Sequence, residues 1–215
     1  MSNVVEEIRY NKVEDFINAI SYKGDLYDVL FPNFIYRGIP TVRYDLIPTA
    51  LRRDKEEKMW ELCGMHGDLR GLEYMQIENE NRLLKIFFKV CDAKGLNIPD
   101  IERIRGGMLT NMDIDLFYII GEKWLPKDLY AIAALAQHYG LPTRLLDWSK
   151  DIFIALYFAA IEAMKRDLKD DYMVLWALNI SFINVAIPPL KIINPEYSGN
   201  PNLCAQQGVF TGLTH

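Results

Sequence analysis

Two strongly apolar helical segments joined by a short connection constrain the fold more than any other feature. The first runs over residues 126–139, opening with a proline that suits a first helical turn, and Gly140 ends it. The second covers residues 149–164, with Ser149 predicted as its N-cap and Asp151 favourable in its first turn. Helices of this kind gain most of their stability by packing against other elements. The chain must therefore build a sheet or further helices around them.

The remaining hydrophobic patterns predict an α+β fold in a single domain. Helical spacing recurs over residues 11–22 and 72–94, and strand patterns occur at 34–37, 172–178 and 209–210, with a short strand between the two apolar helices. The 172–178 segment is almost continuously apolar, which favours a central strand. Because the regular alternation of a doubly wound fold is missing, we expect helices packed around a modest mixed sheet.

Two segments stand apart from this core. Residues 1–30 are predicted to form a helical lead-in to the domain. Residues 54–71 are polar and punctuated by glycine, which is typical of a mobile insertion.

Composition excludes several classes of protein. Half of the 215 residues are apolar, enough to bury a substantial core, and the net charge of −5 argues against bulk nucleic-acid binding. The three cysteines are odd in number and far apart, which is not a disulfide framework. The most apolar run, residues 152–161, is too short to cross a bilayer. The expectation is a cytoplasmic protein that does not span a membrane.

The connection between the apolar helices is unusually rich in polar side chains. A segment that only turned the chain would not need so many donors and acceptors, so it predicts a ligand-binding surface. Arg144 and Asp147 flank a Leu-Leu pair, and buried charges persist only when paired or bound to a ligand. Either the two charges pair with each other or with helix ends and fix the loop, or they line a site, and both can hold. The candidate ligand-binding residues here are Gln137, His138, Thr143, Arg144 and Asp147.

A second motif, Tyr36-Arg37-Gly38, ends the first predicted strand. The planar guanidinium beside a residue with no side chain suits an anion or a nucleotide phosphate. The alternative is a solvated basic face, which is the preferred interpretation for Arg52 and Arg53.

Metal binding and histidine catalysis are both disfavoured. The only close Cys/His pair is Cys63-x-x-His66, which chance explains, so no metal is expected. His138 is predicted to hydrogen-bond backbone at a helix C-terminus rather than to act as a general base. The paired glutamines Gln206-Gln207 could recognise a ribose or base through their amides, or form an ordinary polar loop.

These motifs resemble the FRG-domain family, named after a Phe-Arg-Gly-like motif that reads Tyr36-Arg37-Gly38 here. The family signature is similar to residues 136–149 and 155–159, and to 207–210 near the end of the chain. Residues 44–48 and 80–87 fit the spacing between these motifs. The resemblance covers roughly residues 34–210 and implies no established biochemical activity.

A second resemblance is to the layout of ADP-ribosyltransferases of the Arg-Ser-Glu type. It implies that Arg37 holds the phosphates of NAD and that Ser149 lies near the nicotinamide ribose. Gln206 or Gln207 takes the place of the glutamate at the third position, and a glutamine cannot act as a base. The resemblance thus nominates Arg37, Ser149 and Gln207 as catalytic positions and NAD as the cofactor.

Three hypotheses follow from the sequence. The first is a domain that binds or acts on NAD or another small anionic ligand. The second is a non-catalytic recognition or sensor module for a protein or small ligand. The third is that the segment 137–149 only organises the core, in which case replacing Arg144 costs stability without changing affinity per folded molecule.

Overall fold

A computed structural model describes the chain over residues 5–31, 33–52, 73–105, 125–166, 171–181, 183, 190–195 and 204–213. The predicted insertion at 54–71, with Cys63 and His66, lies outside these residues, as does Arg53.

The centre of the molecule is a five-stranded sheet with the strand order β3-β1-β2-β5-β4. Its strands are β1 (Phe34–Ile39), β2 (Leu146–Ser149), β3 (Val174–Asn179), β4 (Leu190–Ile193) and β5 (Gly208–Leu213). Every neighbouring pair is antiparallel. The α+β class is confirmed, but the sheet is antiparallel rather than mixed, because the order of elements along the chain does not determine strand direction.

β3 occupies one edge of the sheet, so the prediction of a central strand at 172–178 was wrong. Its apolar character has another cause, since both of its faces are packed. Leu175 contacts the cluster around Tyr36, while Trp176 and Leu178 contact the cluster around Ile35 on the opposite face. A continuous apolar run therefore reports packing above and below a strand, and not the presence of neighbours on both sides.

The structure confirms helices in the four predicted segments, 11–22, 72–94, 126–139 and 149–164. Six helices are described. They are α1 (Val13–Ile20), α2 (Tyr27–Leu30), α3 (Glu73–Ala93), α4 (Glu102–Arg105), α5 (Tyr130–His138) and α6 (Ile152–Lys165). Single 3₁₀ turns occur at Thr49–Leu51 and Lys127–Leu129. Gly140 ends the α5 segment with φ +85°, a left-handed conformation that glycine adopts without steric cost.

The N-cap of α6 is Asp151, so the prediction of Ser149 was wrong. The Asp151 carboxylate accepts hydrogen bonds from the backbone N–H of Phe153, at 2.7 Å, and of Ile154, at 3.2 Å. Ser149 instead ends β2. Both residue types cap helices well, and only the course of the backbone decides between them.

α6 lies directly on β1. A side chain at Gly38 would collide with the backbone carbonyl of Ala155. Glycine at this position of β1 therefore allows α6 to approach the strand closely. Beneath α6 and α1, Tyr36 and Ile152 form part of one buried cluster, while α3 and α5 pack with Leu145 and Phe210 in another. This packing fixes β1 and β2 side by side, with the end of α5 close to both.

Candidate functional site

Arg37 and Asp147 meet across the junction of β1 and β2, although 110 positions separate them in the chain. The Nη1 atom of Arg37 donates to the backbone oxygen of Asp147 at 2.7 Å and to its Oδ2 at 3.1 Å. The Arg37 side chain is 17% exposed and that of Asp147 is 58% exposed. The Tyr-Arg-Gly motif and the polar connection therefore come together where solvent reaches the ion pair.

Gln137 and Thr143 extend this contact into a network. The Gln137 amide, at the last turn of α5, donates to the Asp147 carboxylate and accepts a hydrogen bond from the Thr143 hydroxyl. The Thr143 hydroxyl also accepts from the backbone N–H of Leu145 at 3.2 Å. Because both ends of the amide are occupied, the orientation of Gln137 is determined. We call Arg37, Gln137, Thr143 and Asp147 the Arg37 cluster.

Arg144 does not join the Arg37 cluster. Its Nε donates to Oε2 of Glu80 at 2.6 Å and its Nη2 donates to Oε1 at 3.0 Å, a two-point pair with side chains only 7% and 5% exposed. The expected partners, Asp147 or a helix end, were wrong. The expectation that Arg144 lies in low dielectric and is paired there is confirmed.

Sequence reasoning did not assign Glu80 a role, although Glu80 stands at helical spacing between Ile77 and Leu84, within the apolar face of the predicted helix. Gln76 and Glu80 lie one turn apart on α3 and are both buried, which is unusual for such residue types. The Gln76 amide donates to Oε1 of Glu80 at 2.9 Å and to the backbone oxygen of Ala50 at 3.0 Å. Ala50 in turn donates its backbone N–H to the carbonyl of Thr143 at 3.0 Å. A buried polar frame thus holds the connection that carries the Arg37 cluster.

Ser149 lies at a junction of three elements. It is opposite Tyr36 in β1 and opposite Gly208 in β5. Its hydroxyl donates to the carbonyl of Gln206 at 2.9 Å and accepts from the backbone N–H of Asp151 at 2.9 Å. The side chain is buried and its hydrogen bonds hold the turn before β5 and the start of α6 in place.

Gln207 has a left-handed backbone with φ +46°, uncommon for a residue with a side chain. Its carbonyl accepts from the backbone N–H of Lys150 at 3.2 Å, and its own N–H donates to the carbonyl of Cys204 at 3.0 Å. Its side chain is exposed. The turn is therefore held by backbone contacts, and the amide projects towards solvent.

The other predicted site residues lie around this junction with different exposures. Tyr36 is buried and its hydroxyl donates to the carbonyl of Leu30 at 2.8 Å. Burial, with a smaller effect of the negative charge of Asp151, raises the pKa of Tyr36 to about 12. His138 is exposed at the end of α5, with its ring 5.4 Å from that of Tyr139.

Trp176 is a neighbour of the site that the sequence could not indicate. It is paired directly with Arg37 across β1 and β3, a relation that only strand register reveals. Its indole N–H is buried and has no hydrogen-bond partner among the described residues. Trp148, by contrast, donates from its indole to the hydroxyl of Thr211 at 2.9 Å.

Two further findings on the described residues concern metal ions and membranes. They contain no group of three or more His, Cys, Asp and Glu side chains arranged to hold a metal ion. None of the helices described is both long and apolar enough to cross a membrane.

Comparison with known proteins identifies the family. The model of the FRG domain matches residues 32–168, from the start of β1 past the end of α6. The chain belongs to the FRG-domain family. No curated protein and no solved structure matches it. The matched FRG region includes the Arg37 cluster, the Glu80–Arg144 pair and Ser149, whereas Gln207 lies beyond it.

Proposed function

We propose that this FRG domain binds NAD or a related nucleotide at the Arg37 cluster. The observation that carries the proposal is the convergence of Arg37, Gln137 and Asp147 from three separate elements on a solvent-accessible spot. Polar side chains gathered from distant parts of the chain on a rigid frame are what a binding site requires.

The guanidinium of Arg37 has capacity left for a ligand. Among the residues described, only its Nη1 makes hydrogen bonds, both to Asp147. Nη2 and Nε form the edge that can hold two phosphate oxygens at once. The Asp147 carboxylate is largely exposed, so a phosphate can displace it into water at small cost.

Strand register supports the likeness to the ADP-ribosyltransferase layout. Tyr36, Ser149 and Gly208 form one row across β1, β2 and β5. Arg37, Ser149 and Gln207, the three positions nominated by that likeness, each lie within one residue of this row. A dinucleotide held by its phosphates at Arg37 would have the exposed Gln207 amide available in the turn before β5.

The chemistry of these positions favours binding over group transfer. The Gln207 amide has no basic oxygen with which to draw a proton from a ribose hydroxyl. The Ser149 hydroxyl already donates to one backbone group and accepts from another.

Calorimetric titration with NAD tests the proposal. We expect saturable binding by the wild-type chain and a loss of at least about tenfold in Arg37→Ala, since a charge-assisted hydrogen-bond pair to phosphate contributes about 1.5–3 kcal/mol. Arg43→Ala is the matched control, because Arg43 is an exposed arginine that also pairs with one aspartate, Asp171. No heat with wild type, or equal losses in both variants, contradicts the proposal.

The second candidate is a non-catalytic recognition module that uses the same surface for a protein or another small ligand. It is favoured by the glutamine at the third position and by the Ser149 hydroxyl, whose proton is already donated to the carbonyl of Gln206. Nicotinamide release from NAD, monitored by chromatography, tests whether the domain is catalytic. Release by the wild-type chain that disappears in Ser149→Ala would rule out a purely recognising role.

A further inference from the structure

Asp147 is the negative member of the Arg37 cluster, and both oxygens of its carboxylate are held. Oδ2 lies 3.1 Å from Nη1 of Arg37, and Oδ1 accepts a hydrogen bond from the amide of Gln137. A carboxylate can only accept hydrogen bonds, so the nitrogen end of the amide must face it. The position of the Asp147 carboxylate is therefore fixed, although the side chain is more than half exposed.

Gln137 keeps its hold on Asp147 when a ligand reaches Arg37. The amide oxygen of Gln137 accepts a hydrogen bond from the hydroxyl of Thr143, which is buried and whose carbonyl accepts from the backbone N–H of Ala50. A phosphate competes only for the hydrogen bonds of Arg37. It can release Oδ2 into water, but it leaves the bond between Oδ1 and Gln137 in place. The negative charge of Asp147 therefore stays close to any phosphate that Arg37 binds.

The charges of the Arg37 cluster suit a phosphate with a single negative charge. A phosphate oxygen on Nη2 or Nε of Arg37 would lie about 6 Å from the Asp147 carboxylate, because a hydrogen bond of about 3 Å extends from each side of the guanidinium. Salt at physiological strength screens this distance only in part. Arg37 neutralises the first charge of the phosphate, and Asp147 repels a second one.

We propose that Asp147 makes the Arg37 cluster selective for phosphodiesters over terminal phosphates. Each phosphate of a diester carries one negative charge, whereas a terminal phosphate carries about 1.5–2 at pH 7. The inference rests on the proposed nucleotide site and names its ligand class, which is a dinucleotide or another nucleotide whose phosphates are esterified on both sides. A carboxylate that only competed for Arg37 would weaken both kinds of phosphate by the same factor.

Calorimetric titration with ADP-ribose and ADP tests the selectivity. The two ligands share adenosine diphosphate, but the terminal phosphate of ADP-ribose is esterified and carries about one negative charge less. The measured quantity is the ratio of the Kd for ADP to the Kd for ADP-ribose, in buffer without magnesium, which would neutralise the terminal phosphate. Asp147→Asn should lower this ratio by about three- to tenfold, the effect of one charge about 6 Å away at an effective dielectric constant of about 40–80. Contacts of the additional ribose cancel when the two chains are compared.

Two further variants locate the effect. Gln137→Leu should lower the ratio in the same direction but by less, because the carboxylate of Asp147 can then turn into water. Asp100→Asn is the matched control, since Asp100 is an exposed aspartate that also pairs with an arginine, Arg105. It removes the same net charge outside the Arg37 cluster and should leave the ratio unchanged.

The outcomes separate this inference from the nucleotide site on which it rests. If both ligands bind and the ratio is the same in wild type and Asp147→Asn, the selectivity is overturned and the nucleotide site stands. An equal fall of the ratio in Asp100→Asn also overturns it, because net charge alone would then explain the preference. If neither ligand binds to any of these chains, the nucleotide site itself is contradicted and the inference falls with it.

Discussion

Two arginines of this domain meet their carboxylate partners in opposite ways. Arg144 is closed off with Glu80, with both side chains almost fully buried and two short hydrogen bonds between them. Arg37 contacts Asp147 through one nitrogen, beside a carboxylate that is more than half exposed. A buried two-point pair has no room to exchange partners, whereas an open pair exchanges its carboxylate for a ligand at little cost. The Arg144–Glu80 pair therefore stabilises the segment that carries the Arg37 cluster, whereas Arg37 is the arginine that can exchange its carboxylate for a ligand.

The largest expected effect tests the closed pair. Arg144→Ala leaves the Glu80 carboxylate buried without its partner and should lower the free energy of unfolding by about 3–5 kcal/mol. Urea denaturation, monitored by tryptophan fluorescence, measures the change in the free energy of unfolding. The double replacement Arg144→Met with Glu80→Leu should recover most of the loss, because it removes both buried charges. A loss under about 1 kcal/mol for Arg144→Ala, the value of an exposed pair, would erase the contrast with Arg37.

An intermediate effect concerns Tyr36, the buried neighbour of Arg37 in β1. Its folded-state pKa of about 12 lies above the ordinary value of 10.0, so folding favours the neutral phenol. The stability that this provides is fully present below pH 10.0 and is lost as the pH rises towards about 12. Tyr36→Phe should flatten that part of the profile and cost about 1 kcal/mol at neutral pH for the lost hydrogen bond to Leu30. If the loss of stability between pH 10.0 and about 12 is unchanged in Tyr36→Phe, other groups cause it.

The smallest effect on stability belongs to the open pair. Asp147→Asn should change the free energy of unfolding by about 0.2–1 kcal/mol, as for an exposed ion pair. It should also strengthen NAD binding, since the carboxylate no longer competes for Arg37. Calorimetry and urea denaturation on the same preparation check both parts. Weaker NAD binding in Asp147→Asn would mean that Asp147 contacts the ligand rather than competing with it.

The sequence predicted helices better than strands. The periods at residues 11–22 and 72–94 are confirmed in α1 and α3, because a helical pattern is local and long enough to read. β4, only four residues long, was not predicted, and β3 was predicted as central although it lies at an edge. Pairing partners come from distant segments, and no local pattern states which side of a strand is free.

The site was predicted as residues and not as contacts. Both motifs were found, and the structure brings Arg37, Gln137, Thr143 and Asp147 together. The sequence analysis predicted the same environment for Arg144 and Asp147, buried and either paired or bound to a ligand, since only two leucines separate them. Their partners, Glu80 and Arg37, lie on α3 and β1, and the roles proposed for all these residues remain predictions for experiment.

The sequence by itself determined the α+β class, the helical segments and the family, since these depend on local periodicity and on motifs that can be read along the chain. Only the tertiary structure decided which arginine is buried with its carboxylate partner and which pairs with an exposed carboxylate. Burial and partner choice arise from the pairing of segments more than sixty residues apart, Arg144 with Glu80 and Arg37 with Asp147. The energy of a charge depends on the dielectric that surrounds it, and that surrounding exists only once those segments have packed.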